Sequence, residues 1–80
     1  MTLWFENCNG VRRQICDCTT WKEVNRSIDE FIAQANVNKP ADKIFKRYYT
    51  RVWKEDGMTK IDVGSHTEFF YWEGEYSYDN

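Results

Sequence analysis

Residues 20–36 read as an amphipathic helix, and no other segment does; a chain with a single helix and several alternating segments is confined to a sheet with one covered face. Thr20 and Glu23 stand at the spacing of a capping box, in which hydroxyl and carboxylate satisfy orphan N–H groups at a helix start. Trp21, Val24, Ile28, Phe31, Ile32 and Ala35 fall on one stripe at helical period. Lys22, Glu23, Arg26, Asp29, Glu30 and Gln34 take the other side. Asn36 and Asn38 are stop residues, and Pro40 forbids continuation.

The segments around this helix have strand period. Residues 2–17 predict a hairpin: Leu3 and Phe5 face one side and Trp4 the other, Asn9-Gly10 makes the turn, and 11–17 returns with Val11 and Ile15 toward the core. Residues 44–54, IFKRYYTRVWK, read as a strand with Phe45, Arg47, Tyr49, Arg51 and Trp53 on one face. Ile44, Lys46, Tyr48, Thr50, Val52 and Lys54 lie on the other. Asp56-Gly57 marks a second hairpin, with a return strand over 58–63 and Ile61 and Val63 inward. Residues 67–73, TEFFYWE, are a candidate last strand whose continuous aromatic run hides its period. Residues 74–80 read as a frayed tail unless Tyr76 and Tyr78 pin it. The expected fold is α+β over one domain, 1–80: a four- to five-stranded, mostly antiparallel sheet in ββαββ(β) order, with the helix packed on one face.

Eighty residues lie near the lower limit for folding without metal or disulfide, and the 18% aromatic content supplies the apolar area such a core needs. The net charge of −2 argues against a dedicated nucleic-acid binder, although Lys43, Lys46, Arg47, Arg51, Lys54 and Lys60 make the middle basic and Glu68, Glu73, Glu75 and Asp79 make the end acidic. Opposite charges on neighbouring strands are expected to complement each other within the fold. There is no apolar run of membrane-spanning length and no signal-sequence pattern, and the chain reads from its Met as a complete small frame; a cytoplasmic protein with no membrane partner is expected. Three cysteines without secretory context are expected to be reduced thiols.

With one sheet face under the helix, the other should collect Trp4, Arg12, Gln14, Cys16, Phe45, Arg47, Tyr49, Arg51, Trp53, Lys60, Asp62 and Tyr71. Phe45, Arg47, Tyr49, Arg51 and Trp53, with Trp4 and Tyr71, are the candidate binding residues. Arginine planes stack on rings, and Tyr, Trp and Arg are enriched at interface cores. The expected partner is a protein or a second copy of the chain. A second reading makes the face a platform for single-stranded nucleic acid, with bases on rings and phosphates on arginines. A third has the arginines lying over the rings as a self-satisfied surface. Cys16 and Cys18 form C-x-C, with Cys8 upstream and one histidine, His66; four converging zinc ligands are not visible, so no metal and no cofactor is expected. Ser65, His66 and Glu68 lack the strained nucleophile turn and oxyanion hole of a triad, so no enzyme is expected.

At DVGSHTEFFYWEG (62–74), YYTRVW (48–53) and TLWFEN (2–7), the chain resembles small uncharacterised proteins encoded by bacteriophages and prophages of Gram-positive bacteria. The resemblance implies a cytoplasmic accessory protein, made in a bacterial host cell, that binds a host or phage protein. It carries no catalytic residues over to this chain.

Overall fold

The computed structural model describes residues 1–76. It contains β1 (Thr2–Glu6), β2 (Arg12–Asp17), α1 (Trp21–Ala35), a 3-10 turn (Ala41–Lys43), β3 (Arg51–Glu55), β4 (Met58–Asp62) and β5 (Phe69–Trp72). The strands form one sheet in the order β2-β1-β5-β4-β3, with every neighbouring pair antiparallel. The expected α+β class, the single helix on one face and the fifth strand are all present. Among the described residues no helix is long and apolar enough to cross a membrane.

The last strand takes the middle of the sheet, between β1 and β4. That position explains its unbroken aromatic run. Phe70 and Trp72 lie in the core under the helix while long side chains of the other face close over Tyr71, so alternation disappears and all three are buried. Leu3, Ile61, Phe70 and Trp72 from the sheet meet Trp21, Val24, Ile28 and Ile32 from the helix, with Val63 and Cys18 completing the core. Fully burying each large apolar side chain contributes about 1.5–3 kcal/mol.

The helix starts as its sequence requires. The Thr20 hydroxyl accepts the Glu23 N–H at 3.2 Å, while the Glu23 carboxylate accepts the Thr19 N–H at 3.3 Å, one residue before the cap. At the other end Asn36 closes the helix, and its side-chain amide donates to the Phe45 carbonyl (2.7 Å) and accepts the Phe45 N–H (2.8 Å). Both turn signals hold. Asp56 and Gly57 have φ of 55° and 78°, the pair of left-handed residues a tight two-residue hairpin needs. The first turn is longer than its Asn-Gly pair suggests: Gly10 N–H donates to Asn7 O at 2.9 Å, and the Asn7 carboxamide oxygen accepts the N–H groups of Asn9 and Val11.

Three expectations need correction. The predicted strand 44–54 is a strand only over Arg51–Glu55. Its partner β4 ends at Asp62, after which Gly64 (φ +114°) turns the chain away, so before residue 51 the pairing is reduced to the Tyr48 (2.9 Å) and Tyr49 (3.5 Å) N–H groups on the Val63 carbonyl. Segment 44–47 instead runs toward the helix side: Phe45 packs on the core, and Arg47 bonds Asn25 and reaches Asp29 at 2.8 Å. Replacing Arg47 by Ala should therefore cost about 1–2 kcal/mol in urea unfolding, because it unpins this segment from the helix. The second correction is Val11, which lies in the turn exit and is 61% exposed rather than in the core. The third is Cys16. The β1–β2 register jumps from Trp4↔Gln14 to Leu3↔Cys16, so Ile15 is the extra residue of a bulge. That one-residue insertion moves Cys16 from the open face to the helix side, where Ile15 and Cys16 both pack against the core. Of the expected tail, Tyr76 packs edge-on against Trp21 at 4.7 Å; Tyr78 lies outside the described residues.

Candidate functional site: the open sheet face

The face opposite the helix carries one continuous row across all five strands. Gln14 on β2 stands opposite Trp4 on β1, Trp4 opposite Tyr71 on β5, Tyr71 opposite Lys60 on β4, and Lys60 opposite Trp53 on β3. At the usual strand spacing this row is about 19 Å long. A second row sets Arg12 opposite Glu6 and Glu6 opposite Phe69.

Lys60 is the hub. Its ammonium lies 4.1 Å from the Phe69 ring centroid, 5.2 Å from that of Tyr71 and 5.6 Å from that of Trp53. It pairs with a Glu55 carboxylate oxygen at 3.0 Å. The same oxygen accepts the Tyr71 hydroxyl at 3.1 Å, and the other Glu55 oxygen accepts the Trp53 indole N–H at 3.4 Å. Burial alone would lower the Lys60 pKa, but the Tyr71 hydroxyl and the Glu55 carboxylate outweigh it and hold the ammonium above the ordinary lysine value. Bonds from Lys60, Trp53 and Tyr71 hold the Glu55 carboxyl below its usual range. Burial pushes the Tyr71 hydroxyl up. The charge states are thereby fixed around neutral pH: ammonium, carboxylate and phenol.

Arg12 lies over the Tyr71 ring at 4.0 Å and closes it from solvent on the other side. Tyr71 is thus 2% exposed although no other element of the described residues covers it. Trp4 donates its indole N–H to Glu73 at 3.4 Å. At the opposite corner, Arg51 faces the rings of Tyr49 (5.9 Å) and Trp53 (5.5 Å) and pairs with Asp62 at 3.2 Å. Asp62 is fully buried and receives four further contacts: the Gly64 N–H at 2.9 Å, the His66 backbone N–H, the Tyr49 hydroxyl at 3.5 Å and the His66 ring at 3.8 Å.

Five of the seven residues singled out in the sequence come together here: Trp4, Tyr49, Arg51, Trp53 and Tyr71. Phe45 and Arg47 do not. Phe45 lines a cavity of about 220 Å³ between helix and sheet, with Phe5, Phe31, Ile32 and Ala35. Glu55, Phe69 and Glu73 were missed by the sequence reading. Glu55 was visible in principle, since it is two residues beyond Trp53 and so shares its face.

The nucleophile candidates do not converge. The His66 ring bonds the Tyr49 hydroxyl (3.1 Å) and faces Asp62, whereas Ser65 accepts the Glu68 N–H at 3.1 Å. Cys16 and Cys18 contact each other and Ser27. Among the described residues no three His, Cys, Asp or Glu side chains are grouped to hold a metal ion. Comparison with protein-family models, curated proteins and solved structures returns no match.

Proposed function

We propose that this chain is a non-enzymatic, protein-binding module of the phage or prophage accessory type, acting in the bacterial cytoplasm, and that the open sheet face is its docking surface. The observation that supports this reading is the row Trp4–Tyr71–Lys60–Trp53, flanked by Arg12 and Arg51, with no other element of the described residues packed across it. Its side chains are already held by ion pairs and ring contacts, so little rotamer freedom is lost when a partner arrives. Trp, Tyr and Arg at the centre of a face are the residues that dominate binding energy at protein interfaces. The partner is a host or phage protein, or a second copy of this chain.

The charge pattern favours a protein over single-stranded nucleic acid. Lys60 and Arg51 are each paired with a carboxylate, and Glu6, Glu55 and Glu73 share or border the face. A phosphate backbone would meet these acids, whereas a protein can match both signs.

Trp53→Ala is expected to leave the fold standing, with a stability cost of about 1–2 kcal/mol, since the ring is half-buried on an edge strand and loses its cation contacts, its edge-on contact with Phe69 and its bond to Glu55. Affinity capture from lysate of a Gram-positive host, with and without nuclease, on tagged wild type and on this variant, checks the function. A polypeptide retained in stoichiometric yield by wild type and lost with Trp53→Ala is the expected result. Retention by both proteins, or only of material that nuclease removes, would count against it.

A further inference from the structure

The bulge at Ile15 has a chemical consequence away from the open face. It turns Cys16 inward, so that Cys16 and Cys18 lie on the same side of the chain with their sulfurs 3.7 Å apart. Ser27, one turn into the helix beyond Val24, places its hydroxyl 3.4 Å from the Cys16 sulfur and 3.6 Å from that of Cys18. The two thiols differ in access. Cys18 is 1% exposed, whereas Cys16 is part-buried and opens onto a surface hollow whose rim also carries Arg13 and Glu30. An accessible thiol backed by a second thiol within reach is the arrangement of a two-cysteine redox pair. Cys8 lies in the exposed first turn and takes no part in the cluster.

We propose that Cys16 and Cys18 form a reversible, peroxide-oxidisable dithiol, with Cys16 the attacked residue and Cys18 the resolving one. The Cys16 thiolate attacks one oxygen of hydrogen peroxide; the O–O bond breaks, sulfur takes that oxygen as a sulfenic acid, and the other oxygen leaves as water after gaining a proton. The Cys18 sulfur then attacks the Cys16 sulfur. The S–S bond forms, the S–O bond breaks, and the hydroxyl leaves as water with the proton that Cys18 gives up. Two thiols and one peroxide become one disulfide and two waters. The sulfurs need only move from 3.7 Å to bonding distance of about 2 Å. A low-molecular-weight thiol reverses the step by exchange.

The position gives the bond a structural reach. The Cys18 N–H donates to the Met1 carbonyl at 2.8 Å, and its carbonyl accepts the buried Trp72 indole N–H at 3.1 Å. Closing the pair would fasten the β2–α1 junction, where β1, the helix start and the central strand meet.

The test uses the full chain carrying Cys8→Ser, treated with hydrogen peroxide, then alkylated and digested with trypsin. Both cysteines fall in the peptide between Arg13 and Lys22. That peptide is expected to lose two hydrogens, to resist alkylation, and to regain both thiols after reduction. Cys18→Ser should leave Cys16 as a sulfenic acid that dimedone captures. Should that variant not fold, Cys16→Ser gives the complementary result, a buried Cys18 that peroxide does not touch. Two freely alkylated thiols after treatment, over-oxidation of Cys16 beside an intact Cys18, or a disulfide joining two chains would each overturn the proposal.

Discussion

Gly74→Ala is expected to destabilise the protein by about 3 kcal/mol, among the largest losses available from adding a single methyl group. The cause is space, not backbone conformation. A Cβ at position 74 would stand 2.4 Å, 2.6 Å and 2.7 Å from three atoms of the Trp72 indole. That ring is 1% exposed, touches Trp21 across the core at 6.1 Å, and donates its N–H to the Cys18 carbonyl. It cannot move aside without opening the core and leaving that carbonyl unpaired. The Gly74 carbonyl is fixed as well, because it accepts the hydroxyl of buried Thr59 at 2.7 Å. Gly57→Ala is the control. Nothing lies within 4 Å of its added Cβ, and only its φ of +78° is unfavourable, so a cost of about 1 kcal/mol is expected. Urea unfolding of the two variants separates a clash from a backbone preference; equal losses would show that Trp72 has room to yield.

The second large effect belongs to Asp62. Burial by itself would raise its pKa, but the Gly64 and His66 N–H groups and the Arg51 guanidinium outweigh burial and hold the carboxyl below the ordinary aspartate value. The sign follows directly. In the unfolded chain an aspartate takes up its proton near pH 3.9; in the folded chain it does so at lower pH. Asp62 therefore contributes stability that is fully present above the unfolded pKa and is lost as pH falls through the folded one. Asp62→Ala should cost about 3 kcal/mol at neutral pH, since it strips partners from the Gly64 N–H and from Arg51 at a buried site. Asp62→Asn should lose less and should also flatten the acid limb of stability against pH. Glu55 titrates in the same direction, but its side chain is 41% exposed and screened, so the acid limb should follow Asp62. An acid limb unchanged in Asp62→Asn would place the titrating group elsewhere.

Much of this fold is legible in the chain because its signals are local. Thr20 with Glu23, the Trp21–Ala35 stripe and Asp56-Gly57 each act within a few residues, and each element stands where its residues put it. The strand over 44–50 failed for a non-local reason. Its alternation is real, but pairing requires a partner, and β4 stops at Asp62 because Gly64 bends the chain. Phe45 and Arg47 then left the open face with that segment. The bulge at Ile15 was hidden for a similar reason: an inserted residue shows only as a shift of register against β1. Tyr71 was readable as outward-facing, yet its burial depends on two long side chains from opposite sides, Lys60 from the adjacent β4 and Arg12 reaching across β1 from β2. The alternation over 44–54 predicted arginines near rings. It took the register to show that a lysine, tied to Glu55, sits at the centre.

The open face, and not the helix side, is the surface proposed to meet the partner. Hydroxyl-radical footprinting of the chain, alone and with the captured partner, addresses it directly. If the partner is a second copy, dilute and concentrated samples make the same comparison. Tyr48 is 71% exposed and lies against Gly64, off the row, so it serves as an internal reference. Trp4 and Trp53 are expected to lose reactivity on association while Tyr48 keeps its own. Protection of Tyr48 with Trp4 and Trp53 unchanged would contradict it and move the interface off the sheet.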